Sequence, residues 1–482
     1  MRVTVGNTAP VHARGTYVLY WMIAARRTTW SFALDHAIAR ARELERPLVV
    51  FESLRVGYRW ANDRLHAFVL AGMRDNERAF AKAGVTYLPY VELVAGEGKG
   101  LLTELAKRAC LVVTDEQPGF FLPRMVSAAA KHLPVRLELV DGNGLLPLRA
   151  SDRAFPSAAL FRRHLQKTIA PHLAVAPKPT PLARLPSTLR DADIASSITK
   201  RWKFSTDVDL RTLVIDHAVA PAPIVGGSSA ARRTLDDFIE TKLARYGDGH
   251  NHPDDDAASG LSPWLHFGHV SAHEVAARVW ADARWDPSRV AGAKVTGSRE
   301  GWWGLPSSHE SFLDELVTWR ELGYSFCFHR ADYDRFSSLP EWAQKTLRDH
   351  ASDPRPVTYT SKQLEAAATD DPVWNAAQRQ LVHEGRIHNY LRMLWGKKIL
   401  EWSPTPQDAL ATLVDLNNRY AIDGRDPNSY SGIFWTLGRF DRPWAPIRPI
   451  FGAIRYMSST NTVKKLHIAK YLARWSAQPR LL

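Results

Sequence analysis

The chain has 482 residues, of which 45% are hydrophobic, 17 are tryptophan and 2 are cysteine, and its formal net charge is +13. This length exceeds what one hydrophobic core usually supports, so we expect two domains and a connector. The composition argues against a membrane-spanning protein and against a disulfide-rich one, because no apolar run approaches the roughly 18 residues of a membrane helix and the two cysteines are far apart.

The same features suggest where the protein works and what it meets. The first residues lack the apolar core of a signal peptide, and Cys110 and Cys327 lie in apolar surroundings, so we expect free thiols and a cytoplasmic location. The excess of basic over acidic residues favours a polyanionic partner such as nucleic acid without requiring one. Any such surface must be assembled by the fold, because no Lys/Arg-rich tail is present.

Residues 1–150 alternate strand and helix patterns. Segments with a 3.6-residue period separate five short apolar runs: Tyr17–Trp21, Pro47–Phe51, Val85–Tyr90, Cys110–Asp115 and Val135–Val140. This alternation predicts a doubly wound parallel sheet of the Rossmann-like kind, which would bind ligands beyond the carboxyl ends of its strands. No GxGxxG follows the first strand, and GEGKG at 96–100 lacks the phosphate-loop spacing, so we interpret it as a turn.

The second half of the chain is predicted to be helical. Residues 151–227 are rich in proline and alanine and form a predicted connector, and residues 228–482 form a predicted all-helical domain. A polar loop within this half ends at Ala258, Ser259, Gly260, Leu261 and Ser262, just before a new helix. Backbone amides at a helix start can bind an anion such as a pyrophosphate, although many helices begin this way without a ligand.

Two further segments carry side chains that could perform chemistry. Helix 312–322 has Glu315 and Trp319 four residues apart on one face; the alternative is an amphipathic helix with solvated charges. The loop DGRDPNSY crowds carboxylates, arginine and asparagine, so it could hydrogen-bond the edge of a heterocycle or form a salt-bridged turn. No histidine and acid cluster has convincing ligand spacing, so we predict no metal.

Tryptophans are concentrated between Thr369 and Trp444. Asp371 is a predicted N-cap, and Gly385 is the predicted end of that helix. On the next helix Trp395 and Trp402 are seven residues apart, which puts them on one face about 10 Å apart along the axis. A row of indoles can be ordinary core or can carry electrons to a buried redox cofactor, and the spacing allows both.

These segments occur together in an order typical of one family. ASGLSPWLHFGHVS, FLDELVTWREL, DPVWNAAQRQLVHEGRIHNYLRMLWGKKILEW and DGRDPNSYSGIFWTLGRFDRPW resemble the flavin-binding half of the photolyase/cryptochrome family, most of all class II cyclobutane pyrimidine dimer photolyases. The resemblance is dense from about residue 246 to residue 456. It implies an α/β antenna domain, a helical FAD-binding domain, and light-driven electron transfer from reduced FAD to a pyrimidine dimer flipped out of UV-damaged DNA.

The resemblance also implies roles for individual residues around the cofactor. Tyr246 and residues 258–262 match positions that contact the FAD phosphates. Arg392 and Asp423 match an ion pair beside the isoalloxazine ring, and Asn417 matches the asparagine next to flavin N5. Two more residues of the same loop are candidate cofactor contacts, Asp426 and Asn428. Outward from FAD, the matched electron-transfer chain is Trp395, Trp374 and Trp402.

On the substrate side, Glu315 matches the acid that hydrogen-bonds the dimer. The walls of the dimer pocket are matched by Asn251, Trp319, Met393, Trp435 and Trp444. Arg455 matches the basic residue that enters the gap left by the flipped lesion. His250 stands where the family commonly has arginine, so one phosphate or dimer contact is expected to be weaker or pH-dependent.

Several points stay open at the level of sequence. The antenna site could hold a deazaflavin, a folate or nothing. The alternatives to a dimer-splitting lyase are a (6-4) photoproduct enzyme, a cryptochrome-like photoreceptor without repair activity, and a flavin-free DNA-binding scaffold. The (6-4) chemistry would be expected to need catalytic histidines at the pocket, where this chain matches Glu315 and Met393. We expect a monomer.

Overall fold

The computed structural model describes residues 1–290 and 294–476. Contacts between residues divide the chain into two compact units. The first consists of Met1–Ser151, Thr168–Asp236 and Leu261–Ser288, and the second of Asp152–Lys167, Asp237–Gly260 and Arg289–Leu482. The functional division expected at residues 150 and 227 stays a prediction.

A six-stranded sheet forms the centre of the first unit. Its strands are β1 (Val3–Val5), β2 (Tyr17–Met22), β3 (Leu48–Leu54), β4 (Thr86–Val91), β5 (Ala109–Asp115) and β6 (Leu137–Val140). The spatial order is β1-β6-β5-β2-β3-β4, with β1 antiparallel to β6 and every other pair parallel. The doubly wound parallel sheet is therefore confirmed. The edge strand β1 was missed, because three partly exposed residues carry no periodicity.

Helices cover both faces of this sheet. Its side chains alternate between two apolar layers, with Leu19 and Trp21 of β2 in one layer and Val18 and Tyr20 in the other. The crossover helices are Phe32–Glu43, Asp63–Ala83, Leu101–Ala106 and Leu122–Ala130. Burial on both faces explains why β2 and β5 read as continuous apolar runs, a pattern typical of parallel sheets.

Two loops of this unit that resemble anion sites are filled by carboxylates of the chain itself. Asp115 accepts hydrogen bonds from the backbone N–H groups of residues 23–25, at 2.9, 2.8 and 3.0 Å. This turn follows β2, where a dinucleotide-binding fold would hold a phosphate. Glu92 likewise accepts from the N–H of Gly96 at 2.8 Å, and GEGKG is the predicted turn. At both loops a carboxylate of the chain thus takes the place that a phosphate would have, and the sequence lacks a phosphate-binding motif there.

The remainder of the described chain is helical. From residue 158 onward the α-helices are Ala158–Thr168, Ala170–Leu173, Ser196–Arg201, Ser228–Asp237, Tyr246–Gly249, Ser262–His266, Ala272–Asp282, Ser307–Leu313, Arg320–His329, Glu341–Asp349, Ser361–Glu365, Pro372–Glu384, Asn389–Trp402, Pro406–Tyr420, Pro427–Thr436, Ser459–Lys465 and Ala469–Ser476. Two segments, Phe238–Lys242 and Asp314–Trp319, are π-helical. Across the described residues, no helix combines the length and apolar character needed to cross a membrane.

The helix boundaries that matter for the site follow from local capping. Asp371 accepts hydrogen bonds from the N–H groups of Val373 (3.1 Å) and Trp374 (3.0 Å), and Pro372 opens the helix. Gly385 ends it in the left-handed region, with a φ of 70°. Both predicted boundaries are confirmed. Each follows from a backbone requirement that few other residue types meet.

Candidate active site

Glu315 lies on a widened helical turn. The single helix predicted over residues 312–322 is wrong in detail, because a π-helical segment, Asp314–Trp319, interrupts it. A π turn skips a residue in the ordinary hydrogen-bond ladder, and such turns are frequent at functional sites. Its neighbours Arg320 and Glu321 are buried, so the alternative of a helix with solvated charges is wrong as well.

The surroundings of Glu315 keep a large fraction of its carboxyl groups protonated near neutral pH. The side chain is half-buried, and no hydrogen-bond partner for it occurs in the described part of the chain. Loss of solvent, followed by the adjacent Asp314 carboxylate, raises its pKa to about 7. Asp314 is itself held by Arg162 through two contacts of 2.8 Å. Glu315 can therefore donate a hydrogen bond to a ligand that enters this site.

Tyr246 and His250 form a stacked pair close to this acid. Their rings lie 4.5 Å apart with planes 8° from parallel. His250 Nδ1 lies 2.6 Å from the carbonyl oxygen of Tyr246, and its Nε2 lies 3.0 Å from the Asn251 amide. Desolvation lowers the pKa of His250 and raises the pKa of the Tyr246 phenol. The nearby Glu315 carboxylate raises the pKa of Tyr246 further. A neutral imidazole thus stands where the family commonly has a cation.

The predicted phosphate loop contains a glycine in the left-handed region. Ala258, Ser259 and Gly260 belong to the second unit, and Gly260 has a φ of 67°. A β-carbon at Gly260 would lie 3.8 Å from a guanidinium nitrogen of Arg386, a cation that no sequence motif had singled out. Leu261 and Ser262 belong to the first unit, where Ser262 begins helix Ser262–His266.

Arg392 and Asp423 are brought together as the resemblance implies. The guanidinium Nη2 lies 3.2 Å from Oδ1 of Asp423. Asn417 is buried, and its amide group donates to the Gly424 carbonyl and the Ser429 hydroxyl, both at 2.9 Å. Its carbonyl oxygen receives no hydrogen bond from the described residues. Arg392, near the start of helix Asn389–Trp402, offers a fixed cation, and Asn417, on helix Pro406–Tyr420, offers a free acceptor.

The DGRDPNSY loop is largely a braced turn. Arg425 points inward and donates to the carbonyl of Ile422 at 2.7 Å. Asp426 caps helix Pro427–Thr436 through the N–H of Asn428 (2.8 Å) and accepts from the hydroxyl of Tyr324 (2.9 Å). Both oxygens of Asp426 are engaged with the protein, whereas Asn428 is exposed. The backbone N–H of Asp426 donates to the carbonyl of Asp423 at 3.3 Å, which links Asp423 to this turn.

Three tryptophans form a continuous row in the second unit. The indoles of Trp395 and Trp374 are stacked 6.4 Å apart with planes 4° from parallel, and Trp374 meets Trp402 at 5.3 Å, edge to face. Trp374 Nε1 donates to the carbonyl of Trp395 at 3.0 Å, and Trp395 Nε1 donates to Gln378 at 2.8 Å. Half-buried Tyr359 meets Trp402 at 5.0 Å. The spatial order is the one that the resemblance implies.

A second aromatic group alternates with cations. Arg455 lies 4.1 Å from the ring centre of Trp444 and 5.3 Å from that of Trp435. The ammonium of Lys397 lies 5.0 Å from Trp435. Asp441 accepts from Trp444 Nε1 at 3.1 Å and pairs with Arg455 Nε at 3.1 Å. Trp435, Trp444 and Arg455 are therefore neighbours.

Lys397 is a buried charge that sequence reasoning missed. It is fully buried and donates to the carbonyl of Thr436 at 2.6 Å. Desolvation lowers its pKa to about 7, opposed by Asp441 and reinforced by Arg455. In sequence it is one of two adjacent lysines, and nothing distinguishes it from Lys398, which pairs with Glu401 at 2.7 Å.

The remaining predicted pocket residues have simpler environments. Trp319 ends the π-helical segment and is half-buried, as is Met393 on helix Asn389–Trp402. His388 lies in a desolvated setting that lowers its pKa to about 4, with a further contribution from His250. A half-buried, uncharged histidine beside His250 has no sequence signature.

Comparisons with known proteins identify the family of the chain. No family model matches the chain. The deoxyribodipyrimidine photo-lyase of Methanothermobacter thermautotrophicus is 34% identical over 466 residues, which is 96% of this chain and 95% of that protein. Its namesakes from Arabidopsis thaliana (97% of this chain, 90% of that protein) and Potorous tridactylus (94% and 80%) are both 32% identical. A bacterial class III photolyase structure from Agrobacterium tumefaciens superposes with a TM-score of 0.68, covering 97% of this chain and 86% of that one.

The fold and the similarities lead to one assignment. The class III photolyase, at 17% identity, supports the fold alone: a doubly wound sheet unit and a helical unit. The full-length relatives go further. This chain belongs to the photolyase/cryptochrome family.

Proposed function

We propose that the protein is a light-driven DNA repair lyase that splits cyclobutane pyrimidine dimers. The observation that carries the proposal is Glu315, a half-buried acid with a pKa of about 7 and no hydrogen-bond partner in the described part of the chain. Such an acid can donate a hydrogen bond to a pyrimidine carbonyl and stabilise negative charge that develops there. The relatives named deoxyribodipyrimidine photo-lyase support the same activity.

The residues present fit FAD as the cofactor. The Arg392 guanidinium would balance a reduced, anionic ring, and Asp423 orients it. The phenol of Tyr246 and the carbonyl of Asn417 have no hydrogen-bond partner among the described residues, so both are available to a ligand. When bound in its reduced form, FAD supplies the electron that light transfers to the dimer. Gly260 allows a backbone turn whose amides suit a phosphate.

The tryptophan row supports an electron path toward that cofactor. Trp402, Trp374 and Trp395 are in contact in this order, with half-buried Tyr359 beside the outer indole. Hydrogen bonds hold the two inner indoles in fixed orientations. We propose that the row would pass one electron at a time from a reductant in solution through Trp402, Trp374 and Trp395 to bound FAD. A purely structural core remains the alternative.

The cation-rich aromatic group supports DNA binding. Trp435 and Trp444 offer flat faces for stacking bases, and Arg455 and Arg442 supply positive charge beside them. We propose that Trp319, Met393 and these indoles surround the flipped dimer, while Arg455 fills the gap in the duplex. The net charge of +13 agrees with a polyanionic partner.

The proposal includes several finer assignments. Residues 1–150 would form the antenna-type domain, 151–227 the connector, and 228–482 the FAD- and DNA-binding catalytic domain. The class II assignment, a monomer and a cytoplasmic location stay predictions. Neither a deazaflavin nor a folate is favoured as second chromophore.

One assay tests the activity directly. Purified protein is examined for flavin absorption, reduced chemically, and illuminated with oligonucleotides that contain either a thymine dimer or a (6-4) photoproduct. We expect flavin bands and loss of the thymine dimer under blue light, with none in the dark. Dimer loss should weaken with added salt at limiting protein, because phosphate contacts release counterions.

The rival functions give different results in the same assay. A cryptochrome-like photoreceptor would show flavin photoreduction without dimer loss. Repair of only the (6-4) product would point to the histidine pair, His250 and His388, instead of Glu315. Protein without flavin bands would favour a DNA-binding scaffold and contradict the proposal. Glu315→Ala should lower the repair yield more than DNA affinity, because the acid acts on the electron-bearing dimer.

A further inference from the structure

Three side chains with metal-binding atoms converge at a place that the proposed repair reaction does not use. They are His252, Asp255 and His467, and one potential ligand atom from each lies within 4.8 Å of the others. His252 precedes the short turn Pro253–Asp255 and Asp255 is its last residue, whereas His467 precedes helix Ala469–Ser476. The two imidazole rings lie 4.3 Å apart, and His467 Nδ1 lies 3.0 Å from an oxygen of Asp255.

The three consecutive aspartates of this turn have different partners. Asp254 uses both carboxylate oxygens to accept from the first N–H groups of the last described helix, those of Lys470 (2.9 Å) and Tyr471 (2.7 Å). Asp256 pairs with Lys242 at 3.1 Å. Asp255 is the one whose carboxylate faces the two histidines.

The donor set is that of a transition-metal site. Two imidazoles and one carboxylate suit Zn²⁺ and related divalent ions, which complete their coordination with water. Ligands at about 2 Å from a common tetrahedral ion lie roughly 3.3 Å from one another. His467 Nδ1 and Asp255 are already this close, and because all three ligand atoms lie within 4.8 Å of one another, small side-chain rotations suffice. Binding would displace the proton between His467 Nδ1 and Asp255. If the ion took Nδ1 of His252, it would also displace the 3.1 Å hydrogen bond that the backbone N–H of His467 donates to that atom.

We propose that His252, Asp255 and His467 bind a divalent transition-metal ion of the Zn²⁺ class. The prediction of no metal, made from sequence spacing, overlooked His467 because it lies more than 200 residues from the other two. The ion would fasten the 252–255 turn to the segment that leads into helix Ala469–Ser476. Since His250 and Asn251 directly precede this turn, the ion would also restrict the backbone that carries them. The proposal does not depend on the repair function.

Direct metal binding tests the site. Untagged full-length protein, stripped with a chelator and dialysed, is titrated with ZnCl₂ by calorimetry, and with CoCl₂ by visible absorption, which reports the geometry around the ion. We expect one Zn²⁺ per chain with micromolar or tighter affinity, a visible Co²⁺ spectrum that differs from that of the hydrated ion, and a melting temperature that rises with added zinc.

Matched variants distinguish this site from adventitious binding. His467→Ala and Asp255→Asn should each weaken Zn²⁺ binding by at least about tenfold, and His132→Ala, at an exposed histidine of the first unit, should leave it unchanged. Both site variants keep Asp254, so the cap of the last described helix is retained, and circular dichroism of the metal-free proteins checks this. No uptake by the wild type, or equal uptake by His467→Ala, would overturn the proposal. Repair activity enters neither result.

Discussion

Because Glu315 is desolvated on folding, its ionisation should change the free energy of unfolding even when no cofactor is bound. A carboxyl group whose pKa rises from 4.5 to about 7 on folding binds its proton more tightly in the folded state. The free energy of unfolding therefore falls as pH rises through this interval, by about 1.4 kcal/mol for each pH unit. Summed over the interval, ionisation of Glu315 costs the folded protein about 3 kcal/mol near pH 8 and about 1 kcal/mol near pH 5.

Glu315→Gln removes this titration while retaining the size and polarity of the side chain. Relative to wild type, the variant should gain about 2 kcal/mol of stability between about pH 5 and about pH 8. The assay is urea unfolding of flavin-free protein at both pH values. Glu240→Gln is the control, because the Glu240 side chain is exposed and has no hydrogen bond or ion pair within the described residues. A variant-to-wild-type difference that is the same at both pH values would refute the reasoning, since it would mean that Glu315 keeps an ordinary pKa.

Three further substitutions test other parts of the site. Trp374→Phe removes the middle indole of the row and its hydrogen bond. Light-driven flavin reduction should therefore slow at least about tenfold, while chemically reduced enzyme should still repair DNA. Equal loss of photoreduction and repair would indicate a structural role. Lys397→Met removes a buried ammonium with a pKa of about 7. Because the unfolded chain binds that proton more tightly, the free energy of unfolding of the wild type should rise relative to that of the variant, by about 3 kcal/mol between about pH 6 and about pH 9. Urea unfolding at both pH values measures this difference, and a pH-independent difference would contradict the expectation. Asp423→Asn should lower FAD retention at least about tenfold in equilibrium dialysis by leaving the Arg392 guanidinium unpaired, and unchanged retention would exclude the pair from the cofactor site.

Local patterns in the sequence were sufficient wherever one backbone or burial requirement dominates. The five parallel strands were predictable because both faces of the sheet are covered, which demands continuous apolar runs. The N-cap at Asp371 and the end at Gly385 were predictable for the same kind of reason. The π-helical turn at Asp314–Trp319 was not, because its residues have ordinary helix propensities and the extra residue is accommodated by packing.

Charges were the least predictable feature, because their states depend on what surrounds them. Lys397 and Lys398 are neighbours in sequence, yet one is fully buried beneath Trp435 and the other is paired with Glu401. Asp254 and Asp255 differ in the same way: one caps a helix and the other faces two histidines. Adjacent identical residues cannot be told apart until their partners are known.

The tryptophan row separates the two kinds of information. The sequence by itself determined that Trp395 and Trp402 share a helix face, because the helical repeat fixes the direction of each side chain, and the order of its motifs determined the family. Only the tertiary structure decided that Trp374, from the preceding helix, lies between them and in contact with both. Contact between helices depends on packing across many residues distant in sequence, and no local pattern encodes it.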